Sequence, residues 1–393
     1  MRLLVVNVFY APQSIGGATR VVEDNIRDLN SSHGIESIGV FCSLVGGREY
    51  LESRNYMAGP ATVMAVTAKT TPKGDFLISD VKMQAQFEAF VDSFQPDIIH
   101  FHCVQRLTSD VCLVAKRRNI PYLITMHDGW WISDRQFLVN ETGEIEAYNY
   151  ADVAETERGL GRGATTRMEA LLPALEGASR LLTVSNKFAG IVRAAGLDRI
   201  TTLENGASPI EVLPKKGSDK PVIGYLAGAA HFKGYHLLKA TLMRGTYSSF
   251  RLIVIDHSLK QHKSYREDWG KTEVLRIGFY PQEQVSELYQ LLNIVIVPSI
   301  WPESFGLVAR EAMMSGCWLI ASDRGAASDD VDEGINGHRF EPGKQGDLDR
   351  VLSLIEASPE TYLRAAPPTE IRTCDDQAEE LAKLYREILS ERS

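Results

Sequence analysis

Residues 294–316 read IVIVPSIWPESFGLVAREAMMSG, and this stretch decides the fold class. Ile294–Val297 is a short β-branched run that predicts a buried strand. Pro298 and Pro302 break it into a loop, and the apolar run from Phe305 to Met314 predicts a helix behind that loop. Strand, loop and helix in 23 residues form one step of an α/β alternation. Outward from it, the same alternation fills the second half, with strands expected at Val222–Leu226, Arg251–Asp256, Val274–Ile277 and Cys317–Ala321. In the first half, strands are expected at Leu3–Val8, Glu36–Cys42, Asp97–His102, Pro121–Met126 and Arg180–Val184. Thr19–Leu29 and Val81–Phe94 have helical spacing, and a last helix is expected at Asp375–Ser390. The polar, glycine-bearing stretch Asn140–Thr166 reads as a loop or insertion, and Leu213–Pro221 has linker composition.

The chain has 393 residues, which fits two cores better than one. At 44% apolar and 24% charged, it can bury those cores, and wholesale disorder is excluded. Split near Pro209, the halves carry 20 basic and 24 acidic residues, then 22 and 27, so neither half is a basic nucleic-acid footprint. No apolar run approaches the ~18 residues of a membrane span. The opening Met1–Val6 reads as a buried strand rather than a signal start, because Asn7 breaks it too early. Five cysteines without a C-x-x-C pair argue against a disulfide framework or structural zinc and point to a reducing cytosol. The expected architecture is α/β: two doubly wound, Rossmann-like domains facing across a cleft.

In open α/β sheets, ligands bind beyond the carboxyl ends of the strands. Four such ends carry unusual residues: Tyr10–Gly17, His127–Trp131, Gly228 with Lys233-Gly234, and Pro298–Glu303. Gly16-Gly17 before a helix is either a tight turn or a place where backbone N–H groups meet an anion. Lys233 beside Gly234 is a candidate phosphate counter-charge, set against the plain reading of a solvated lysine.

Glu303 and Glu311 are eight residues apart, and eight helical residues rise about 12 Å. A retaining-glycosidase dyad needs carboxylates about 5 Å apart, so the pair is better suited to holding two parts of an elongated ligand. The plain alternatives are a surface pair of Glu311 with Arg310 and a capping carboxylate at Glu303. His100, His102 and His127-Asp128 lie on neighbouring runs, yet no zinc-binding pattern supports a metal there. Asp330-Val331-Asp332 and Asp347-Leu348-Asp349 spell D-x-D but read as solvated turns.

On these residues the chain resembles the retaining glycosyltransferases of family 4, which have the GT-B architecture. The resemblance covers nearly the whole chain and is strongest from Gly278 to Pro342. Its most specific element is VPSIWPESFGLVAREAMMSG, where E-x7-E stands as Glu303 and Glu311. YAPQSIGGATRVVEDNIRDL, PDIIHFH, TMHDGWW, TVSNKF, LENGAS, HFKGYHLL, GFYPQEQVSELY and INGHRFEPG support it in the family's order. One departure is that GYLAGAAHFKG lacks the arginine that members often carry upstream of the lysine.

The resemblance implies a nucleotide-diphosphate-sugar donor and a saccharide or lipid-linked acceptor, with bacterial surface polysaccharide as the product class. Glu311 would bind the ribose hydroxyls, and Glu303 a hydroxyl of the transferred sugar. The backbone of Phe305, Gly306 and Leu307 would hold the sugar and diphosphate, Lys233 would neutralise the diphosphate, and Gly17 would approach it. His127 would lie near the sugar's reacting side, so His127 and Glu303 are the catalytic candidates, and Asn205-Gly206 would line the site. No cofactor and no metal are expected. Residues 1–210 would form the acceptor-side domain, rejoined by a final helix within 371–393, and 211–370 the donor-side domain. A cytoplasmic protein is implied, with Lys116-Arg117-Arg118 as a candidate contact with an anionic membrane surface. The competing readings are a GT-B sugar phosphorylase, a nucleotide-sugar epimerase, or a non-catalytic nucleotide-sugar-binding subunit.

Overall fold

The computed structural model describes residues 1–29, 33–69 and 74–392. The chain divides into two compact units. The first is Met1–Leu138, Glu146–Gly206 and Arg372–Ser393, and the second is Val139–Ile145 and Ala207–Ile371.

The first unit is built on an eight-stranded sheet: β1 Arg2–Val6, β2 Ser37–Ser43, β3 Ser53–Ala58, β4 Ala61–Val66, β5 Ile98–Phe101, β6 Tyr122–Met126, β7 Arg180–Thr183 and β8 Ile200–Thr202. Its order is β3-β4-β2-β1-β5-β6-β7-β8, parallel throughout except for β3 against β4. Leu4 and Val6 face one hydrophobic cluster while Leu3 and Val5 face another, so β1 is buried on both faces as a central parallel strand must be. The closing helix Cys374–Ser390 starts from a capping box between Thr373 and Asp376 and buries Ala378, Leu381, Ala382 and Tyr385 in the cluster that holds Leu3 and Val5.

The second unit carries β9 Val222–Tyr225, β10 Arg251–Ile255, β11 Ser264–Trp269, β12 Thr272–Ile277, β13 Ile294–Val297, β14 Trp318–Ser322 and β15 Gly337–Phe340. Their order is β11-β12-β10-β9-β13-β14-β15, again parallel except at the β11 edge. In each sheet the chain winds outward in both directions from one strand, β1 or β9. The segments leaving those two strands therefore start at the switch points where doubly wound sheets bind ligands.

Several sequence expectations are corrected. Asn140–Thr166 is not simply a loop: helix Val153–Leu160 and the start of helix Arg162–Gly177 occupy about half of it. Asp152 caps the first, and Gly161, at φ 86°, ends one and starts the other, so that glycine punctuates rather than unfolds. Asp347 and Asp349 are not in a turn but in the first turn of helix Asp347–Ala357, where acidic groups suit the helix dipole. Apart from these corrections, Arg118 lies 3.0 Å from both Glu88 and Asp92, and Arg117 pairs with Glu88. The hairpin β3–β4 and strands β8, β11 and β15 were not expected from sequence.

Candidate functional site

The donor-side candidates converge within the second unit. β9 leads through Leu226–Ala230 to the short turn His231–Lys233, closed by Gly234 at φ 75°. A Cβ on Gly234 would stand 1.7 Å from the Pro298 carbonyl oxygen, so only glycine lets this turn close on the loop after β13. The N–H groups of Ile300 and Trp301 both reach the Phe232 carbonyl, at 3.0 and 3.2 Å, which locks the two loops together.

This lock places the Lys233 ammonium 2.7 Å from Oε1 of Glu303 and 5.4 Å from the centre of the Trp301 ring. Ser299 donates its hydroxyl to the same Oε1 at 2.5 Å. Glu303 is 7% exposed, a burial that its ion pair and hydrogen bond make tolerable. Its backbone is fixed as well. Ala326 N–H reaches the Glu303 carbonyl at 2.7 Å, and a Cβ on Gly325 would lie 2.2 Å from the Glu303 nitrogen.

Glu303 does not share a helix with Glu311, contrary to the expectation of a common helical rise. The helix is Leu307–Met314, opened by Gly306 at φ 85° with no side-chain cap. Phe305, Gly306 and Leu307 thus form an uncapped helix entrance just after Glu303. Arg310 stabilises it from inside: its guanidinium donates to the Phe305 and Ala326 carbonyls, lies 4.5 Å from the Phe305 ring centre, and pairs with Asp330 at 2.9 Å. Arg310 is therefore buried and engaged with Asp330 and the helix entrance, not part of a surface pair. Glu311 is itself buried, and Tyr289 donates its hydroxyl to Oε2 at 2.9 Å.

The first unit holds the other candidates. Gly17 is exposed at the start of helix Gly17–Asp28, whose N-cap Gly16 (φ 85°) provides no side-chain cap. Buried Asn7, just past β1, ties this region together. Its Nδ2 donates to the Phe9 carbonyl and Thr19 Oγ1, and its Oδ1 accepts from Cys103 N–H. His127 follows β6, and burial holds its imidazole down at about 4. His127 Nε2 lies 2.9 Å from His102 Nδ1. Asp128 beside it accepts from Trp130 N–H, Gln105 and Gln136 at 3.0, 2.9 and 2.7 Å, and burial raises its carboxyl to about 6. Trp130 and Trp131 are core residues rather than ligand contacts. Asn205 and Gly206 are held by Gln377 of the closing helix, through Asn205 Oδ1 at 3.1 Å and Gly206 N–H at 2.8 Å. Among the described residues, no group of three or more His, Cys, Asp or Glu is arranged to hold a metal ion.

The family described as Glycosyltransferase Family 4 matches residues 15–209, and that described as Glycosyl transferases group 1 matches residues 211–369. The chain belongs to glycosyltransferase family 4. This family 4 chain is 29% identical over 152 residues to the lipopolysaccharide 1,2-N-acetylglucosaminetransferase of Salmonella typhimurium, covering 34% of this chain and 40% of that protein. It is 29% identical over 143 residues to a phosphatidyl-myo-inositol mannosyltransferase of Propionibacterium freudenreichii, covering 35% of each. The match therefore spans well under half the length of these curated relatives. Among solved structures it is similar to sucrose-phosphate synthase from Thermosynechococcus elongatus, with TM-score 0.63, 16% identity, and 100% and 97% of the two chains covered. It is also similar to Anabaena HepE in complex with UDP and glucose, with TM-score 0.61, 17% identity, and 100% and 98% covered. These likenesses show the GT-B fold, with two Rossmann-like domains.

In this family 4 chain, sequence reasoning placed Lys233, Glu303, Phe305, Gly306, Leu307 and Glu311, which the second unit brings into one region. It missed Ser299 and Tyr289 as the hydroxyls that hold the two carboxylates, although both lie in motifs that carried the resemblance. It also missed Arg310 as the clamp on the helix entrance, where an arginine in an otherwise apolar run was the available signal.

Proposed function

We propose that the protein is a retaining glycosyltransferase that moves a sugar from a nucleotide-diphosphate-sugar to a saccharide or lipid-linked saccharide acceptor in surface polysaccharide synthesis. The observation that carries the reading is the Lys233–Glu303–Ser299 cluster beside the uncapped entrance of the helix that bears Glu311. A donor has three parts with different chemistry, and this arrangement offers a group for each. Lys233 and the N–H groups of Phe305–Leu307 would meet the diphosphate, whose negative charge grows as it leaves. Glu303 would take a sugar hydroxyl, and Glu311 the ribose hydroxyls. His127 would be neutral at pH 7 and would meet the sugar by hydrogen bonding without adding positive charge beside an oxocarbenium-like centre.

Retention is what the family resemblance implies, and with no evident covalent nucleophile among these groups it would proceed without a glycosyl-enzyme intermediate. The leaving phosphate itself would accept the acceptor's proton on the face it departs from. The names of the relatives support a sugar nucleotide and an envelope glycan or glycolipid. Among the described residues, no helix is long and apolar enough to cross a membrane. A lipid-linked acceptor would then be reached at a membrane surface from the cytoplasmic side.

A thermal-shift panel of UDP-, GDP- and ADP-sugars identifies the donor, because a ligand that binds the native state raises the melting temperature. Proton NMR of the early product from that donor should show the donor's anomeric configuration. An inverted linkage would refute retention, and release of free sugar-1-phosphate or an epimer would favour the phosphorylase or epimerase reading.

A further inference from the structure

His102 Nδ1 and His127 Nε2 are 2.9 Å apart, and both rings are buried. His102 also stacks on His100, with ring centres 4.0 Å apart. His100 is fixed at both nitrogens, by Tyr385 of the closing helix at 2.6 Å and by Thr125 of β6 at 2.7 Å. The result is an anchored column of imidazoles that ends at His127.

We propose that His102 is a positioning residue for His127: the Nδ1···Nε2 hydrogen bond fixes the ring orientation and tautomer with which His127 meets the sugar. The inference rests on the reading of His127 as the sugar-side histidine. A neutral imidazole has one donor and one acceptor nitrogen, so whichever role Nε2 takes toward His102 sets the opposite role at Nδ1. A histidine at a reacting centre commonly receives that instruction from a carboxylate. Here the adjacent carboxylate, Asp128, is committed to Trp130, Gln105 and Gln136, and a second imidazole takes the place. The titratable groups around the pair are His100, Cys103, Asp128 and Tyr385. Burial pushes the Cys103 thiol well up, and burial together with the neighbouring imidazoles pushes His102 well down, so the thiol and both rings of the pair are neutral at pH 7.

The test is long-range ¹H–¹⁵N NMR on protein carrying ¹⁵N-labelled histidine, with His127 assigned by His127→Gln. In the wild type, His127 should show one neutral tautomer and no titration above pH 5. His102→Ala should average the two tautomers. His102→Asn places an amide near the lost Nδ1 and should restore a single tautomer, whereas His102→Gln reaches past that position and should not. Binding of UDP, followed by calorimetry, should change less than twofold in all three variants. The proposal is overturned if His127 is unchanged in His102→Ala, or if Asn and Gln behave alike. The Asn and Gln pair decides it even where the alanine variant fails to fold. None of these readings depends on turnover, so a protein that transfers no sugar would refute the proposed function and leave this result standing.

Discussion

One carboxylate oxygen, Oε1 of Glu303, receives both the Lys233 ammonium at 2.7 Å and the Ser299 hydroxyl at 2.5 Å. The charge expected to meet a diphosphate is thus already paired, and a donor must draw Lys233 away from Glu303 or share it. Glu303→Gln removes that competition. It should tighten binding of nucleoside diphosphate about two- to fivefold, the scale of a partly exposed ion pair, while turnover of the sugar nucleotide falls. Lys233→Ala should weaken the same binding and also lower the melting temperature, because it leaves Glu303 buried without a counter-charge. Calorimetry with the nucleoside diphosphate and thermal denaturation check both, and equal affinity in Glu303→Gln would refute the competition.

The close approach at Gly234 makes a separate prediction. Gly234→Ala would put a methyl group 1.7 Å from the Pro298 carbonyl oxygen at a positive φ, so the two loops that carry Lys233 and Ser299 must part. A stability loss above ~1 kcal/mol is expected, together with loss of nucleotide binding. Gly217→Ala, in open space and at an ordinary φ, is the control and should be neutral. Denaturant titration of the two variants measures the difference.

These positions also show how far the sequence could be read. The strand–loop–helix step at 294–316 was legible because β-branched residues, prolines and an apolar run punctuate it, and it located Glu303 and Glu311 correctly in the chain. Their relation to each other was only partly legible. The helix expected from Phe305 already began past Glu303, and the structure starts it two residues later, behind Gly306. Strands β3 and β11 escaped because an edge strand reads SRNYMA or SYREDW, polar or charged on the side that faces water. The helix Arg162–Gly177 escaped because its glycines suggested a loop, although Ala164, Met168, Leu171 and Leu175 keep helical spacing and are buried. Ser299 and Tyr289 are ordinary residue types whose partners lie 4 and 22 positions away. Which hydroxyl meets which carboxylate is decided by packing alone.

Metal independence is a further expectation. Lys233 and helix N–H groups are the charges assigned to the diphosphate, so activity should survive EDTA. Loss of activity that Mn²⁺ or Mg²⁺ restores would show that the diphosphate needs a cation these residues do not replace.

The buried histidines make stability fall with acid. Burial depresses His100 to about 3 and His127 to about 4, and holds His102 well below its ordinary value. The unfolded chain protonates these groups near pH 6.5 while the folded chain does not, so their stabilisation is complete above pH 6.5 and is lost as pH falls. Each contributes up to about 1.4 kcal/mol per pH unit over that window. Asp128 works in the opposite sense. Burial raises it to about 6, so below that pH the folded state takes up one proton that the unfolded carboxyl, near 3.8, does not, which offsets one histidine. Asp128→Asn should therefore steepen the loss below pH 6, and His100→Gln should flatten it. Denaturant titrations at pH 7.5, 6.5 and 5.5 give the slopes, and identical slopes in all three proteins would contradict the assignment.

Glu311 and His127 are asked to do different things, and kinetics can separate them. The ribose assigned to Glu311 does not change during reaction, so its hydrogen bonds would be equally strong in the ground and transition states. Glu311→Gln should then mainly raise the donor KM, by a loss of about 1.5–3 kcal/mol where charge-assisted bonds weaken. Tyr289→Phe removes only the hydroxyl that steadies Oε2 and should produce a smaller change of the same kind. The sugar carbon assigned to His127 is where geometry and charge change most. His127→Ala should lower kcat by about tenfold or more and leave nucleotide binding by calorimetry little altered. If both residues serve the fold alone, their variants would instead lose melting temperature together, with kcat and KM following the folded fraction. The division of roles fails if Glu311→Gln binds nucleotide as tightly as the wild type. It fails equally if His127→Ala stays folded and fully active.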